Sequence, residues 1–269
     1  MNGLTRRQLL QRIGFGIAAI PLVSCTSSNS SLVDGSTTDG TASDIGRSGA
    51  WATGGTAAMT DKVSYPDPFT AAASSCLLVA GTTDGPCTTA TNLARADVSE
   101  GWAGLPVRLG MRFVNSACSP IANAVIKIWH TNLAGSYSGV TPNPGMCLAQ
   151  SSYSSNDFFR GVQTTGASGI VYFDTCFPGW YSGRAIHIHF QVTVGATTYK
   201  VSQLFFPETL TSDIFANHSE YKTYGQPNTT FANDNVMAAI PSGSRASNIV
   251  EWSQMTDGAL LASKTITVM

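Results

Sequence analysis

Two histidines separated by one residue are the first feature of this sequence that could carry chemistry. They stand in residues 186–190, which read IHIHF. Side chains alternate between the two faces of a β-strand, so His187 and His189 point to one side and the three apolar residues to the other. Neutral imidazole is a common metal ligand. The spacing alone more often marks a polar strand face than a metal site, so the neighbouring segments must decide.

A turn-rich segment leads into the histidine strand. Residues 177–183 read FPGWYSG, and their proline and glycines predict a tight change of chain direction. Such a turn would lift Tyr181 into the space above the face that carries His187 and His189. Taken alone, Tyr181 has a second interpretation, as a sheet residue whose hydroxyl bonds to a neighbour.

The elements that would position these residues are strands. In residues 107–113 apolar side chains alternate with Arg and Gly, which is the period of a half-buried strand. Similar patterns predict five more strands, and residues 211–218 predict one short helix. The fold prediction is all-β, a two-sheet antiparallel β-sandwich with little helix and long loops at residues 137–158 and 207–247 that carry the active site. The additional strands are predicted at residues 124–131, 169–175, 185–194, 198–206 and 263–268.

The composition suits one compact domain with extra segments. The chain has 269 residues, of which 43% are hydrophobic and 12% charged. A domain of about 200 residues with a sizeable core is therefore possible. The formal net charge is −1; without residues 1–24, which hold three arginines and no acid, 12 basic face 16 acidic residues, or −4. This balance offers no basic surface, so nucleic acid is excluded as a partner.

The N-terminus has the pattern of a targeting signal. Three arginines precede an apolar stretch of about 11 residues, which is too short to span a bilayer. We expect residues 1–24 to be a signal peptide, twin-arginine-like at Arg6 and Arg7, with an ordinary secretion signal as the alternative. Residues 22–25, LVSC, fit a lipoprotein cleavage box. Cys25 then carries a lipid or, alternatively, is a plain cysteine, and the expected location is the cell envelope or periplasm.

A change of composition separates this signal from the predicted domain. Residues 25–65 are rich in Ser, Thr, Gly and Ala with little apolar periodicity, which predicts a flexible low-complexity tether. Residues 66–269 hold the periodic segments and are predicted to form the β-sandwich domain.

The cysteines that follow Cys25 could form disulfides, because an exported chain folds under oxidising conditions. Their number is odd, so one thiol is left over. We favour a Cys147–Cys176 pair, because Cys147 follows the Tyr137 segment and Cys176 lies shortly before Tyr181. Metal ligation by cysteine is set aside, since the chain has no C-x-x-C spacing. The five cysteines are Cys76, Cys87, Cys118, Cys147 and Cys176.

Four segments together resemble one protein family. They are residues 129–139 (WHTNLAGSYSG), 159–165 (FRGVQTT), 178–181 (PGWY) and 183–189 (GRAIHIH). In this order they look like the intradiol ring-cleavage dioxygenases. The closest likeness is to the protocatechuate dioxygenase catalytic subunit and its exported relatives. The resemblance runs from about residue 84 to residue 206.

The resemblance implies a mononuclear non-haem Fe(III) centre. Phenolate is a hard anionic donor suited to a hard, highly charged cation. A bound metal also permits an ionised tyrosine near neutral pH, against an ordinary pKa of about 10. The ligands implied by the resemblance are Tyr137, Tyr181, His187 and His189.

The resemblance also implies a reaction. Family members open a catechol-type ring (protocatechuate, catechol or hydroxyquinol) with O2 and form a muconate-type diacid. Tyr181 corresponds to the tyrosinate that the substrate displaces and that accepts a hydroxyl proton. Arg184 corresponds to a cation that offsets negative charge on the substrate, and Gln203 to a glutamine that faces the reaction centre. The alternatives are a surface cation for Arg184 and a strand-edge amide for Gln203.

Three departures from the family pattern have consequences. The short span between Tyr181 and His187 implies a more open site that admits bulkier substrates. Cys87 stands where relatives place an aromatic residue after Gly-Pro. The helical dimerisation segment of the catechol-cleaving branch has no counterpart, so we expect a monomer or a loose homo-oligomer.

Other conspicuous residues have structural interpretations. Trp129 and Trp180 are predicted to form core and pocket wall. His130 is predicted to be a hydrogen-bonded structural residue, and His218, in loop-like sequence, to face solvent.

Two other functions remain open. One is a non-catalytic exported β-sandwich lipoprotein that binds a partner and keeps a structural metal site. The other is a zinc hydrolase that uses His187 and His189 with a carboxylate. The second is disfavoured, because no acidic residue lies near the histidine pair and tyrosines are poor zinc ligands.

Overall fold

A computed structural model describes residues 49–73 and 76–268. The predicted signal peptide, Cys25 and the first part of the predicted tether lie outside the described residues. Within them, no helix is both long and apolar enough to cross a membrane. The strands are β1 Pro106–Val114, β2 Ala124–Trp129, β3 Arg160–Thr164, β4 Ile170–Cys176, β5 His187–Val194, β6 Thr197–Phe205, β7 Glu251–Gln254 and β8 Leu260–Thr267.

The strands form two four-stranded sheets, so the predicted all-β sandwich is confirmed. One sheet has the order β4-β1-β8-β7 and the other the order β3-β2-β5-β6. The second sheet is antiparallel throughout. In the first sheet β1 and β8 run parallel, which corrects the expectation of two antiparallel sheets. A parallel neighbour needs a long crossover, and the chain between β1 and β8 supplies one because it passes through the whole second sheet.

The core lies between the two sheets. Leu109 and Phe113 of β1 and Ile188 and Phe190 of β5 are fully buried in one apolar cluster. The rings of Phe113 and Phe190 meet across the layers with centroids 6.3 Å apart. Because the apolar side chains of β5 occupy this interface, its alternate residues, including His189, lie on the outer face of the second sheet.

The sequence pattern did not predict two of the strands, and both lie at sheet edges. Strand β3 has the sequence RGVQT and β7 the sequence EWSQ, and neither shows regular alternation. An edge strand has one pairing partner and needs less apolar surface, so its sequence signal is weak.

The predicted helix is confirmed and begins three residues earlier than expected. The helices are α1 Pro144–Cys147, α2 Glu208–Asn217 and α3 Asn235–Ala239. Leu210, Ile214 and Phe215 of α2 pack against the core. Short 3-10 turns occupy Gly55–Ala58, Ser151–Ser155, Lys222–Tyr224 and Ser242–Asn248.

The folded domain begins earlier than the predicted boundary at residue 66. Trp51 and Met59 are buried. The Ala52 amide donates to the Gly258 carbonyl, and the Gly55 amide to the Gly104 carbonyl. Residues 49–65 therefore pack on the sandwich, because isolated apolar side chains anchor a segment whose overall composition resembles a linker.

The favoured Cys147–Cys176 disulfide is wrong. The structure pairs Cys87 with Cys147 and Cys76 with Cys118, each with a Cα–Cα distance of 5.5 Å. Cys176 is a buried free thiol among the described cysteines. It lies at the end of β4 and packs against Phe158 and Phe159, away from the loop that carries Cys147.

We predict that peptide mapping of the non-reduced protein finds Cys87 linked to Cys147. Replacing both cysteines by Ala should lower the free energy of unfolding by about 2–4 kcal/mol, because the disulfide no longer restricts the unfolded chain. Urea unfolding measures this loss, and the Cys76→Ala/Cys118→Ala variant is the matched comparison. A peptide that joins Cys147 to Cys176 would contradict the assignment.

Candidate metal centre

Four side-chain donor atoms meet at one point on the outer face of the second sheet. The Tyr137 hydroxyl oxygen lies 3.3 Å from that of Tyr181 and 3.3 Å from Nε2 of His187. The Tyr181 oxygen lies 3.4 Å from the same nitrogen. Nε2 of His189 is 3.1 Å from Nε2 of His187. The structure therefore brings together all four residues that the sequence singled out as ligands.

Strand β5 and its neighbours fix the two imidazoles. Nδ1 of His187 donates to the Ala185 carbonyl over 2.6 Å, so its Nε2 is left as a lone-pair donor. His189 pairs in register with Trp129 on β2. The two rings stack with centroids 4.9 Å apart and planes 7° from parallel. Trp129 is thus a wall of the site, as predicted.

The two tyrosines come from loops that lie in direct contact. Asn132 shapes the Tyr137 loop, since its side-chain oxygen accepts the amides of Ala134 and Ser136 at 3.1 and 3.0 Å. Gly135 has φ 80°, and a Cβ there would overlap the Trp180 carbonyl next to Tyr181. Glycine at position 135 therefore sets how closely the two phenols approach.

The donor set fits a metal ion. Ligand bonds of about 2.0–2.2 Å around a tetrahedral ion place neighbouring donors about 3.3–3.6 Å apart, close to the spacing seen here. No group of three or more His, Cys, Asp or Glu within residues 49–73 and 76–268 could hold a metal. The present cluster contains two such residues and draws its other two donors from tyrosines, which are oxygen ligands suited to a hard cation.

Burial leaves all four donors neutral when only protein groups surround them. Desolvation, reinforced by Arg184, lowers the pKa of His187 to about 3. Desolvation and His187 lower the pKa of His189. Desolvation raises the pKa of Tyr137, and Tyr181 raises it further. A cation between them would reverse this preference for the phenols, because it stabilises phenolate directly.

Arg184 and Gln203 both lie at the edge of the cluster. Gln203 is buried and lies opposite His189 on β6. Its side-chain oxygen accepts a hydrogen bond from Arg184 Nη2, and its amide donates to the Thr83 carbonyl over 3.1 Å. Burial raises the pKa of Tyr181 while the Arg184 charge lowers it, which places this guanidinium within electrostatic reach of the Tyr181 phenol.

Two buried charged residues at the site were not assigned roles from the sequence. Arg160 donates to the Ser138 carbonyl and, over 2.7 Å, to the Cys87 carbonyl. Its guanidinium lies 6.0 Å from the centre of the Tyr137 ring. The sequence signal for this arginine was the segment FRG at residues 159–161. Asp234 forms an ion pair with Arg184. No sequence pattern indicated this residue, because it follows a long irregular segment.

The Cys87–Cys147 disulfide adjoins the cluster. Cys87 and Cys147 pack with Trp129 and Tyr137 in one group. The Tyr137 amide donates to the Cys147 carbonyl over 2.9 Å. A Cβ at Gly85 would lie 3.5 Å from Cε1 of His189. The disulfide therefore links the segment expected to contact substrate covalently to the loop that carries Tyr137.

The remaining histidines have structural roles. His130 is buried, contacts the Thr131 carbonyl and the Thr175 hydroxyl, and stacks on Phe159, as predicted for a structural residue. The expectation that His218 faces solvent is wrong. His218 is buried and its Nε2 donates to the Ala52 carbonyl, because the N-terminal segment covers it.

Comparisons with known proteins identify the family and the fold. A family model described as Dioxygenase matches residues 86–240. No curated protein sequence matches the chain. An intradiol ring-cleavage dioxygenase from Tetranychus urticae has a similar structure, with TM-score 0.63 and 24% identity over 72% of this chain and 95% of that one. The dioxygenase domain of a carbohydrate-binding fusion protein from Streptomyces sp. SirexAA-E gives TM-score 0.51 and 19% identity over 71% and 97%. At these identities the two structures show a shared fold.

We predict that Gly135→Ala weakens metal binding and lowers stability more than Gly183→Ala. Both glycines have positive φ, so both variants carry a backbone strain of about 1 kcal/mol. At Gly183 a Cβ would meet nothing within 4 Å, whereas at Gly135 it would push Trp180 away. The added overlap should cost about 1–3 kcal/mol more. Urea unfolding and metal titration of both variants measure the difference, and equal losses would show that the loop contact is unimportant.

Proposed function

Since this chain belongs to the intradiol ring-cleavage dioxygenase family, we propose that it cleaves a catechol-type aromatic diol with O2 to a muconate-type diacid. The observation that carries the proposal is the cluster of two phenols and two imidazoles, in which Nε2 of His187 lies 3.1–3.4 Å from the donor atoms of the other three residues. Tyrosinate and imidazole together suit ferric iron, and the proposed ligands are Tyr137, Tyr181, His187 and His189.

Ferric iron, when bound, would act as a Lewis acid that makes the ring of the diol reactive toward O2. The protein contributes the geometry of the donors and a partly enclosed space. Trp129, stacked on His189, and the disulfide beside Tyr137 form its walls. Protocatechuate, catechol and hydroxyquinol are the substrates to test, with bulkier diols included because of the short span between the Tyr181 loop and β5.

The two tyrosines differ in a way that assigns them separate roles. Tyr137 is 2% exposed and its amide is fixed to the Cys147 carbonyl. Tyr181 is half-buried and directly precedes the exposed turn at residues 182–183. A substrate that arrives from solvent therefore meets Tyr181 first. We therefore assign Tyr181 as the base: besides helping to hold the metal, its oxygen would accept a proton from a substrate hydroxyl.

Arg184 and Gln203 act on the charge of the substrate. A diol that loses its protons brings negative charge next to the metal. The Arg184 guanidinium, held against the side-chain oxygen of Gln203, offsets that charge in a place with little water. Gln203 also ties the site to the Thr83 segment, which borders the expected substrate side.

The proposal includes an exported protein in the cell envelope or periplasm, anchored by a lipid on Cys25. The two disulfides support an oxidising compartment. A monomer or loose homo-oligomer remains the expected state, to be measured by sedimentation. When cells that express the Cys25→Ala variant are fractionated, we expect the protein in the soluble fraction and not in the membrane fraction. An unchanged distribution would remove the lipid anchor from the proposal.

We predict a visible tyrosinate-to-iron charge-transfer band in the purified, iron-loaded protein. Adding catechol, protocatechuate or hydroxyquinol in air should shift the band and yield a muconate-type product, because a diol bound at the centre would change the surroundings of the phenolates. Absorption spectroscopy with product analysis ranks the three substrates. A colourless protein that stays inert after anaerobic iron loading and re-oxidation would favour the non-catalytic binding module instead.

We predict different effects for Phe at the two tyrosines. Tyr137→Phe should lose most bound iron, because a fixed buried ligand disappears. Tyr181→Phe should keep iron with a weaker band and lower kcat by about 10²–10⁴-fold, because a base for the substrate proton is lost. Iron content, absorption and turnover are measured together. Tyr172→Phe on β4, whose hydroxyl bonds to Asp67, is the control and should leave iron content and band unchanged.

A further inference from the structure

We propose that Asp234 is a positioning residue for this reaction, which holds Arg184 and the backbone that orients His187. The inference rests on the proposed function, because that function gives Arg184 and His187 their roles. Asp234 lies at the start of α3, outside the segments that carry the resemblance.

The carboxylate of Asp234 is fully buried and accepts four hydrogen bonds. Oδ1 accepts the amides of Val236 and Met237, each over 2.8 Å. Oδ2 accepts Nε of Arg184 over 2.9 Å and the amide of Ala185 over 2.7 Å. The side chain of Asp234 is 0% exposed and that of Arg184 is 14% exposed, so water competes little for this pair.

The two oxygens have separate tasks. Oδ1 caps helix α3, a task that Asn or Ser performs as well as Asp. A second, charged oxygen is not needed for a cap, and burying it costs free energy unless a partner offsets the charge. Here the partner is Arg184, the cation that the proposed function places beside the substrate. The need for aspartate at this position is therefore explained by the site rather than by the helix.

Oδ2 of Asp234 contacts both Arg184 and the backbone that orients His187. Fixing Nε of Arg184 aims the other end of its guanidinium at Gln203. The Ala185 residue whose amide binds Asp234 offers its carbonyl to Nδ1 of His187. One carboxylate thus holds the cation that faces the substrate and the peptide that sets the ring of a metal ligand. A change at Asp234 should alter turnover while the four donors remain present.

The test uses Asp234→Asn in the iron-loaded protein. The asparagine oxygen can still cap α3, but its amide group presents hydrogens to Arg184 Nε and the Ala185 amide, which are themselves donors. We expect kcat to fall by about 10–100-fold. We also expect the substrate-bound absorption band to shift, and KM to change much less than kcat. Asp234→Ser keeps an oxygen that can cap α3 and removes Oδ2 without placing a hydrogen-bond donor against Arg184 Nε. It is the second test variant if the Asn variant folds poorly.

The control is Asp257→Asn. Asp257 also accepts backbone amides and a side-chain hydroxyl, from Thr60, Ala259 and Tyr65, but in a cluster away from the metal centre. It should lower stability without moving the absorption band. In an Arg184→Gln background, Asp234→Asn should reduce kcat much less than in wild type, since Arg184 is then no longer there to be positioned.

The outcomes separate the two proposals. An active wild type with equal kcat and an unmoved band in Asp234→Asn or Asp234→Ser would overturn the role of Asp234 and leave the proposed function intact. If Asp234→Asn lowers kcat by the same factor in the Arg184→Gln variant as in wild type, positioning through Arg184 would also be overturned. A wild type with no charge-transfer band and no turnover would overturn the proposed function itself, and the inference with it.

Discussion

Nε2 of His187 lies 3.1–3.4 Å from three other donor atoms, those of Tyr137, Tyr181 and His189, in a site where burial keeps all four side chains neutral. Removing these polar groups from water costs free energy unless neighbouring groups hold them in place. The rest of the structure is organised to maintain this arrangement. Stacked Trp129 and the Ala185 carbonyl hold the imidazoles. The close approach at Gly135 holds the phenols.

Local geometry explains which parts could be predicted from the sequence. The shared face of His187 and His189 follows from the two-residue period of a strand, and the structure confirms it because Ile188 and Phe190 are buried in the core. The sandwich follows from the same period in β1, β2 and β5. The contact between Tyr137 and Tyr181 was predicted only from the resemblance to a known family. The two residues are 44 positions apart, and no local sequence pattern predicts that they meet.

Contacts between distant segments explain what could not be predicted. Cys87 bonds to Cys147, which lies 60 residues later in the chain. Cys176 was predicted as the partner of Cys147 because it lies close to Tyr181 in sequence, and this nearness in sequence does not correspond to a contact. Asp234 meets Ala185 across 49 residues of mostly irregular chain. The burial of His218 depends on a segment 166 residues earlier. In each case the residue type is ordinary and only the folded chain shows its partner.

The position of β8 bears on when this domain can form during synthesis. Strand β8 occupies an inner place in its sheet, between β1 and β7, although it is made last. Until residue 267 has left the ribosome, β1 lacks its parallel neighbour and β7 lacks its partner in this sheet. Sheets that pair distant strands close slowly and late. A chain that is released before β8 has formed therefore leaves the edges of β1 and β7 open to association.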